Sequence, residues 1–168
     1  MRKTIGVIAV AFVLVGCGGS GDSGDGASSG SSNSDQSGEI DFVSCISDTG
    51  YDTLVIKTGK LMFELAEISS SGDASGDYLK VIDDLKSKAD DVQNVGKSFK
   101  NADDCGDPIF KSLSVDVGDL LLEIASNLSE LDTTEILSGD ISAIEQLDDT
   151  VKKLPIAIDI MTAHIQGK

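Results

Sequence analysis

From residue 54 onward, apolar residues recur at alternating intervals of three and four, the spacing with which an α-helix buries one stripe of its surface. Leu54, Leu61, Leu65 and Ile68 mark a first long helix, with Thr58 at the fifth position of the seam. Ile82, Leu85, Ala89, Val92 and Phe99 mark a second, in which Gly96 stands where an apolar side chain is due. A third carries Phe110, Leu113, Val117, Leu120, Ile124 and Leu128. Its start is signalled by Asp107-Pro108, a carboxylate able to accept from orphan amides followed by a residue with no amide to lose. A fourth stripe runs through Ile141, Ile144, Leu147, Val151, Leu154, Ile158, Met161 and Ile165.

The segments between them, "SSSGDASGD" at 69–77, "NADDCGDP" at 101–108 and "LDTTEILSGD" at 131–140, are rich in helix breakers, the last with room for one helical turn. Short connections between long helices make neighbours antiparallel. The expectation is therefore an all-α domain over 40–168, an up-down-up-down four-helix bundle of sufficient length to close one core. Pro155 lies inside the fourth stripe and removes the bond its amide would make to the Val151 carbonyl; a kink is expected there, with a broken helix as the alternative. Ahead of the bundle, "EIDFVSCISD" predicts a short helical turn that packs Phe42 and Ile46 against it and carries Cys45.

A different apolar pattern opens the chain. Ile5 to Val15 is an almost unbroken apolar run behind Arg2 and Lys3, shorter than the roughly 20 residues a membrane span needs. A positive start, a short apolar core and small residues make residues 1–16 an expected export signal. Its end, Leu14-Val15-Gly16-Cys17, resembles the lipobox of bacterial lipoproteins. The alternative is an ordinary secretory signal with Cys17 there by chance. The resemblance covers about the first 20 residues and is silent on the fold beyond.

What the resemblance implies is cleavage before Cys17, a diacylglycerol thioether on its sulfur and often a further acyl chain on its new amino group. Two or three chains make a durable anchor, since each buried CH₂ contributes about 0.8 kcal/mol and one short chain binds only marginally. By the same resemblance, Gly18 rather than Asp after the lipidated cysteine implies outer-membrane delivery in a diderm cell. In a monoderm the anchor would sit on the outer face of the plasma membrane.

Beyond Cys17 the chain turns to Gly, Ser and Asp, and residues 17–39 have too little apolar surface to offset the entropy of ordering. A flexible linker of this length reaches roughly 26 Å. A phosphate-binding glycine loop would need a G-K-[ST] signature, which the stretch lacks.

The chain has three cysteines, an odd number for an exported protein. Lipidation of Cys17 leaves Cys45 and Cys105, which admit one pairing in a compartment where disulfides persist. Closing a loop of about 60 residues contributes about 4 kcal/mol in the chain-entropy model. The bridge would staple the N-terminal turn to the loop between the second and third helices. Two free thiols forming a metal or redox site is the alternative, without a zinc-like spacing to support it.

The formal net charge is −16, and loss of Arg2 and Lys3 with the signal makes it −18 and removes the only arginine. Nucleic acid and anionic membrane surfaces are therefore excluded as partners, and contact with the bilayer is expected through lipid alone. Acidic doublets such as Asp103-Asp104 invite a calcium reading, but "NADDCGDPIFKS" places Cys105 where a third ligand belongs and lacks the closing Glu. Solvated faces and helix termini are the expected use.

The single histidine, His164, falls in the last turns and is expected to be structural. Met62 and His164 invite comparison with exported haem bundles of the cytochrome b562 type. Antiparallel register opposes it, setting Met62 about ten residues, or about 15 Å, along from the start of the first helix, where His164 would lie. No catalytic, cofactor or metal residues are expected. The reading is a non-enzymatic, lipid-anchored binding or interaction module outside the cytoplasm, the alternatives being a carboxylate-based enzyme or the haem bundle.

Overall fold

The computed structural model describes residues 42–75 and 77–168. The export signal, the lipobox with Cys17, and the linker lie outside the described residues. Those described are mostly helical and hold no strand. Seven helical segments follow one another: α1 (Phe42–Asp48), α2 (Tyr51–Ser75), α3 (Tyr78–Ser87), α4 (Ala89–Asn101), α5 (Pro108–Glu130), α6 (Thr133–Ser138) and α7 (Ser142–Gln166). None of them is long and apolar enough to cross a membrane.

Helix α5 is the centre of the packing, lying along both α4 and α7, while α2 covers α3 and α4. Its stripe explains this position. Phe110, Val117, Leu121, Ile124 and Leu128 are all completely buried, and they meet Val92 and Phe99 from α4 and Leu154 and Met161 from α7. The leucine that reaches the centre is Leu121; Leu120, expected there from spacing, is only half-buried. Ile141, expected to open the fourth stripe, is instead an exposed residue at the N-cap of α7.

Between α4 and α5 the backbones touch. A Cβ at Gly118 would lie 2.8 Å from the Gly96 carbonyl oxygen, and one at Gly96 would lie 3.0 Å from that of Gly118. No apolar side chain fits at Gly96 for this reason. Deeper in the same seam, the buried Ser114 hydroxyl donates to the Phe99 carbonyl at 2.7 Å, so the close approach leaves no polar group unpaired.

The expected second helix is two. A turn at Lys88 separates α3 from α4, the Lys88 amide donating to the Leu85 carbonyl at 3.1 Å, one residue short of helical spacing. The Lys88 ammonium reaches 2.6 Å to Glu64 on α2, fixing the joint against its neighbour. Because Lys88 keeps right-handed helical dihedrals, the apolar stripe passes through the joint in register.

The stretch 69–77, expected to be a loop, is mostly helix. α2 runs on to Ser75, with Ser70 and Ser71 hydroxyls donating to the Glu67 and Ile68 carbonyls of the preceding turn. Within 131–140 the expected helical turn is α6, capped by Asp132, which accepts from the Thr134 and Glu135 amides. It is closed by Gly139 at φ +96°, a left-handed cap that lets the Asp140 amide return to the Glu135 carbonyl. α7 continues unbroken through Pro155, so the broken-helix alternative does not hold.

Candidate functional site

The loop "NADDCGDP" and the elements around it hold the densest chemistry of the described chain. Asp103 accepts from the Cys105 amide at 2.9 Å and Asp104 from the Gly106 amide at 2.8 Å, two side-chain turns in succession. Cys105 and Gly106 both take positive φ, 53° and 74°, which turns the chain sharply into α5. These carboxylates fold a turn of the loop, where solvated faces and helix termini were the expected use. Cys45 and Cys105 are joined in a disulfide, with Cα atoms 5.7 Å apart, that ties α1 to this loop. Their sulfurs lie with an Asp103 oxygen in a group compact enough for a cation, but bonded to each other they offer no thiolate.

Asp107 follows, 6% exposed, as the N-cap of α5. One of its oxygens accepts from the Ile109 and Phe110 amides at 2.9 and 3.1 Å. The other lies 2.9 Å from His164 Nε2 and 2.8 Å from the Lys168 ammonium. The Lys168 contact first, and the Phe110 amide second, hold the Asp107 carboxyl well below the usual carboxylate range against the opposing effect of burial. Phe42 seals the group: its ring stands edge-on to Phe110 at 5.8 Å and to His164 at 6.4 Å, with the Lys168 nitrogen 5.7 Å above it.

Sequence reasoning assigned Asp107 to a cap and His164 to a terminal helix face, and both assignments fit. It missed their meeting. The signal was present, because an antiparallel fourth helix ends where the third begins, which brings the only histidine to that cap. An aspartate holding a histidine is two-thirds of a nucleophilic triad. Here the carboxylate is shared with an ammonium and two amides, and both nearby sulfurs are spent in the bridge. The arrangement clamps the end of α7 to the start of α5.

Met62 and His164 are not brought together. Met62 is buried and lines a small crevice with Leu65, Leu85, Leu128, Leu147 and Val151. Leu128 lies near the end of α5 and the His164 partner Asp107 just before its start, about 30 Å apart along the helix. One iron cannot be ligated by both. The crevice holds only ≈ 40 Å³, against several hundred for a drug-sized ligand.

A wider groove of ≈ 460 Å³ runs between the start of α2 and the end of α4, past Thr53, Lys57, Ser98 and Asn101. Among the described residues Asp107 is the single buried carboxylate, and no buried side-chain nitrogen or oxygen lacks a partner. No family model, curated protein or solved structure matches the chain.

Proposed function

We propose that the protein is a lipid-anchored lipoprotein outside the cytoplasm, a disulfide-stapled helical body serving as a non-enzymatic binding or interaction module. The observation that carries this reading is the Cys45–Cys105 bridge. With those two sulfurs consumed, Cys17 is the single thiol left in a chain of three cysteines, and it stands at the end of an export signal where lipidation would take it. A structural disulfide also fits a compartment outside the cytoplasm. Outer-membrane delivery through Gly18 in a diderm cell, or the outer face of the plasma membrane in a monoderm, belongs to the same reading.

The body is read as an up-down-up-down bundle whose second member is the jointed pair α3 and α4. Contacts between facing residues support it. Asp107 meets His164 and Glu123 meets Thr150 across α5 and α7, while Ser114 meets Phe99 and Gly118 approaches Gly96 across α5 and α4. Each pair runs antiparallel. The non-enzymatic part of the reading rests on the occupied state of Asp107, whose oxygens already face four donors.

Cells grown with labelled palmitate test the anchor. The wild-type chain is expected to carry label and to sediment with washed membranes, and Cys17→Ser to lose both. A Cys17→Ser chain that is processed to the same mature mass and retained equally on membranes overturns the proposal.

A further inference from the structure

We propose that Cys45, Cys105 and Asp103 form a redox-gated site for one zinc-like divalent cation, closed while the two sulfurs are bonded to each other and opened when a dithiol reductant separates them. This goes beyond the anchor reading and does not depend on lipid at Cys17.

The two sulfurs and an Asp103 oxygen all lie within 4.8 Å of one another. Around a tetrahedral zinc, with sulfur at about 2.3 Å and oxygen at about 2.1 Å, neighbouring donors stand roughly 3.5 to 4 Å apart. The donors are thus already gathered, and only the sulfurs must part. Asp103 uses Oδ1 for the Cys105 amide, and its carboxylate has a second oxygen to offer. Asp103 is exposed and Cys45 half-buried, so solvent reaches the group. Two thiolates beside one carboxylate suit a borderline-soft cation such as zinc better than calcium. Three side chains make up the group, and water would complete the fourth position.

Both walls of the group are held by contacts that do not pass through the bridge. Cys105 sits at φ +53°, a left-handed conformation that few non-glycine residues take, and the Asp103 and Asp104 side chains fix the turn there through the Cys105 and Gly106 amides. The Asp107 amide donates to the Asp104 carbonyl at 2.8 Å, closing the loop onto α5. On the other wall, α1 carries Cys45 and is docked by the Phe42 ring against Phe110 and by the buried Ile46. Reduction therefore leaves the three donors side by side.

Opening is a thiol–disulfide exchange. The two thiols of the reductant are oxidised to a disulfide, and the Cys45–Cys105 bond takes up their two electrons and two protons to become two thiols. The cation then displaces both thiol protons to solvent as it forms two metal–sulfur bonds and one bond to the Asp103 carboxylate. Without it, two thiolates and a carboxylate at this spacing repel one another; the dication offsets two of the three charges. Because the same sulfurs serve both states, bridge and cation exclude each other.

The mature full-length chain, purified with its anchor and reduced with a phosphine, is titrated anaerobically with cobalt(II) as a coloured stand-in for zinc. The reduced chain is expected to gain, at one equivalent, the near-ultraviolet charge-transfer band of thiolate-bound cobalt, zinc to abolish it, and the oxidised chain to show none. Asp103→Asn, which can still accept the Cys105 amide, should bind cobalt at least about tenfold more weakly, the loss that removing even an outer partner brings. Asp104→Asn should match wild type, and the reduced, metal-free chain should keep its helical circular dichroism. Absence of the band, or equal affinity in Asp103→Asn, overturns the site. Loss of the helical signal on reduction also overturns it, since the donors would then not be held together. The mass of the same purified chain reports lipid at Cys17 separately, so failure to bind cobalt leaves the anchor standing.

Discussion

Four donors converge on the two carboxylate oxygens of Asp107, and the consequence is measurable in acid. Its folded value lies below the ordinary carboxylate range, so its ionised form stabilises the fold at any pH above the unfolded value of about 4. That contribution declines as pH falls below the unfolded value and is fully lost once pH has fallen through the depressed folded value. Asp107→Asn keeps an oxygen for the cap and removes the charge. The variant is expected to melt a few degrees lower near neutral pH, with the gap to wild type narrowing below about pH 4 and closing in stronger acid. Thermal melts across that range check it, and a gap independent of pH would show that the charge does not matter. His164→Asn, which leaves the Lys168 contact in place, should lower the melt less than Asp107→Asn does.

Among the elements, the joint between α4 and α5 is the least forgiving. Gly118→Ala puts a methyl 2.5 Å from the Lys100 side chain and 2.8 Å from the Gly96 carbonyl; overpacking of this kind costs about 1 to 3 kcal/mol. Gly59→Ala in the middle of α2 meets nothing within 4 Å and should instead add roughly 0.5 to 1 kcal/mol by restricting the unfolded chain. Urea unfolding of the two variants checks the contrast, and equal effects would refute the close packing. The element plan was legible because apolar stripes and the Asp107-Pro108 start are strong signals. The joint at Lys88 was not, since no proline or glycine marks it and helical dihedrals carry the stripe through. The length of α2 was misread for the opposite reason: Ser70 and Ser71 look like breakers, yet their hydroxyls bond back to the previous turn. Leu120 and Leu121 differ by a rotation that spacing alone resolves poorly, and the glycine seam tilts the balance to Leu121.

For the molecule as a whole, charge is the dominant long-range term. With 29 acidic residues against 13 basic ones, like-charge repulsion opposes the compact state. Ion pairs such as Lys80–Asp84 and Lys152–Asp148 are mostly exposed and offset little of it. Raising salt from about 10 to about 150 mM shortens the screening length from roughly 30 to 8 Å, so the melting temperature should rise; a fall would show that the ion pairs outweigh the repulsion. At this scale the Asp107–His164 meeting was only half legible: the sequence names both residues, but their union depends on how the first turn of α5 and the last of α7 come to one level. The disulfide has a mechanical corollary. Any tension on the chain ahead of Phe42 enters α1 and leaves it three residues later through Cys45 and Cys105, delivering the load to the root of the most deeply buried helix. Under traction the protein should yield late and all at once, with α1 unable to peel away first.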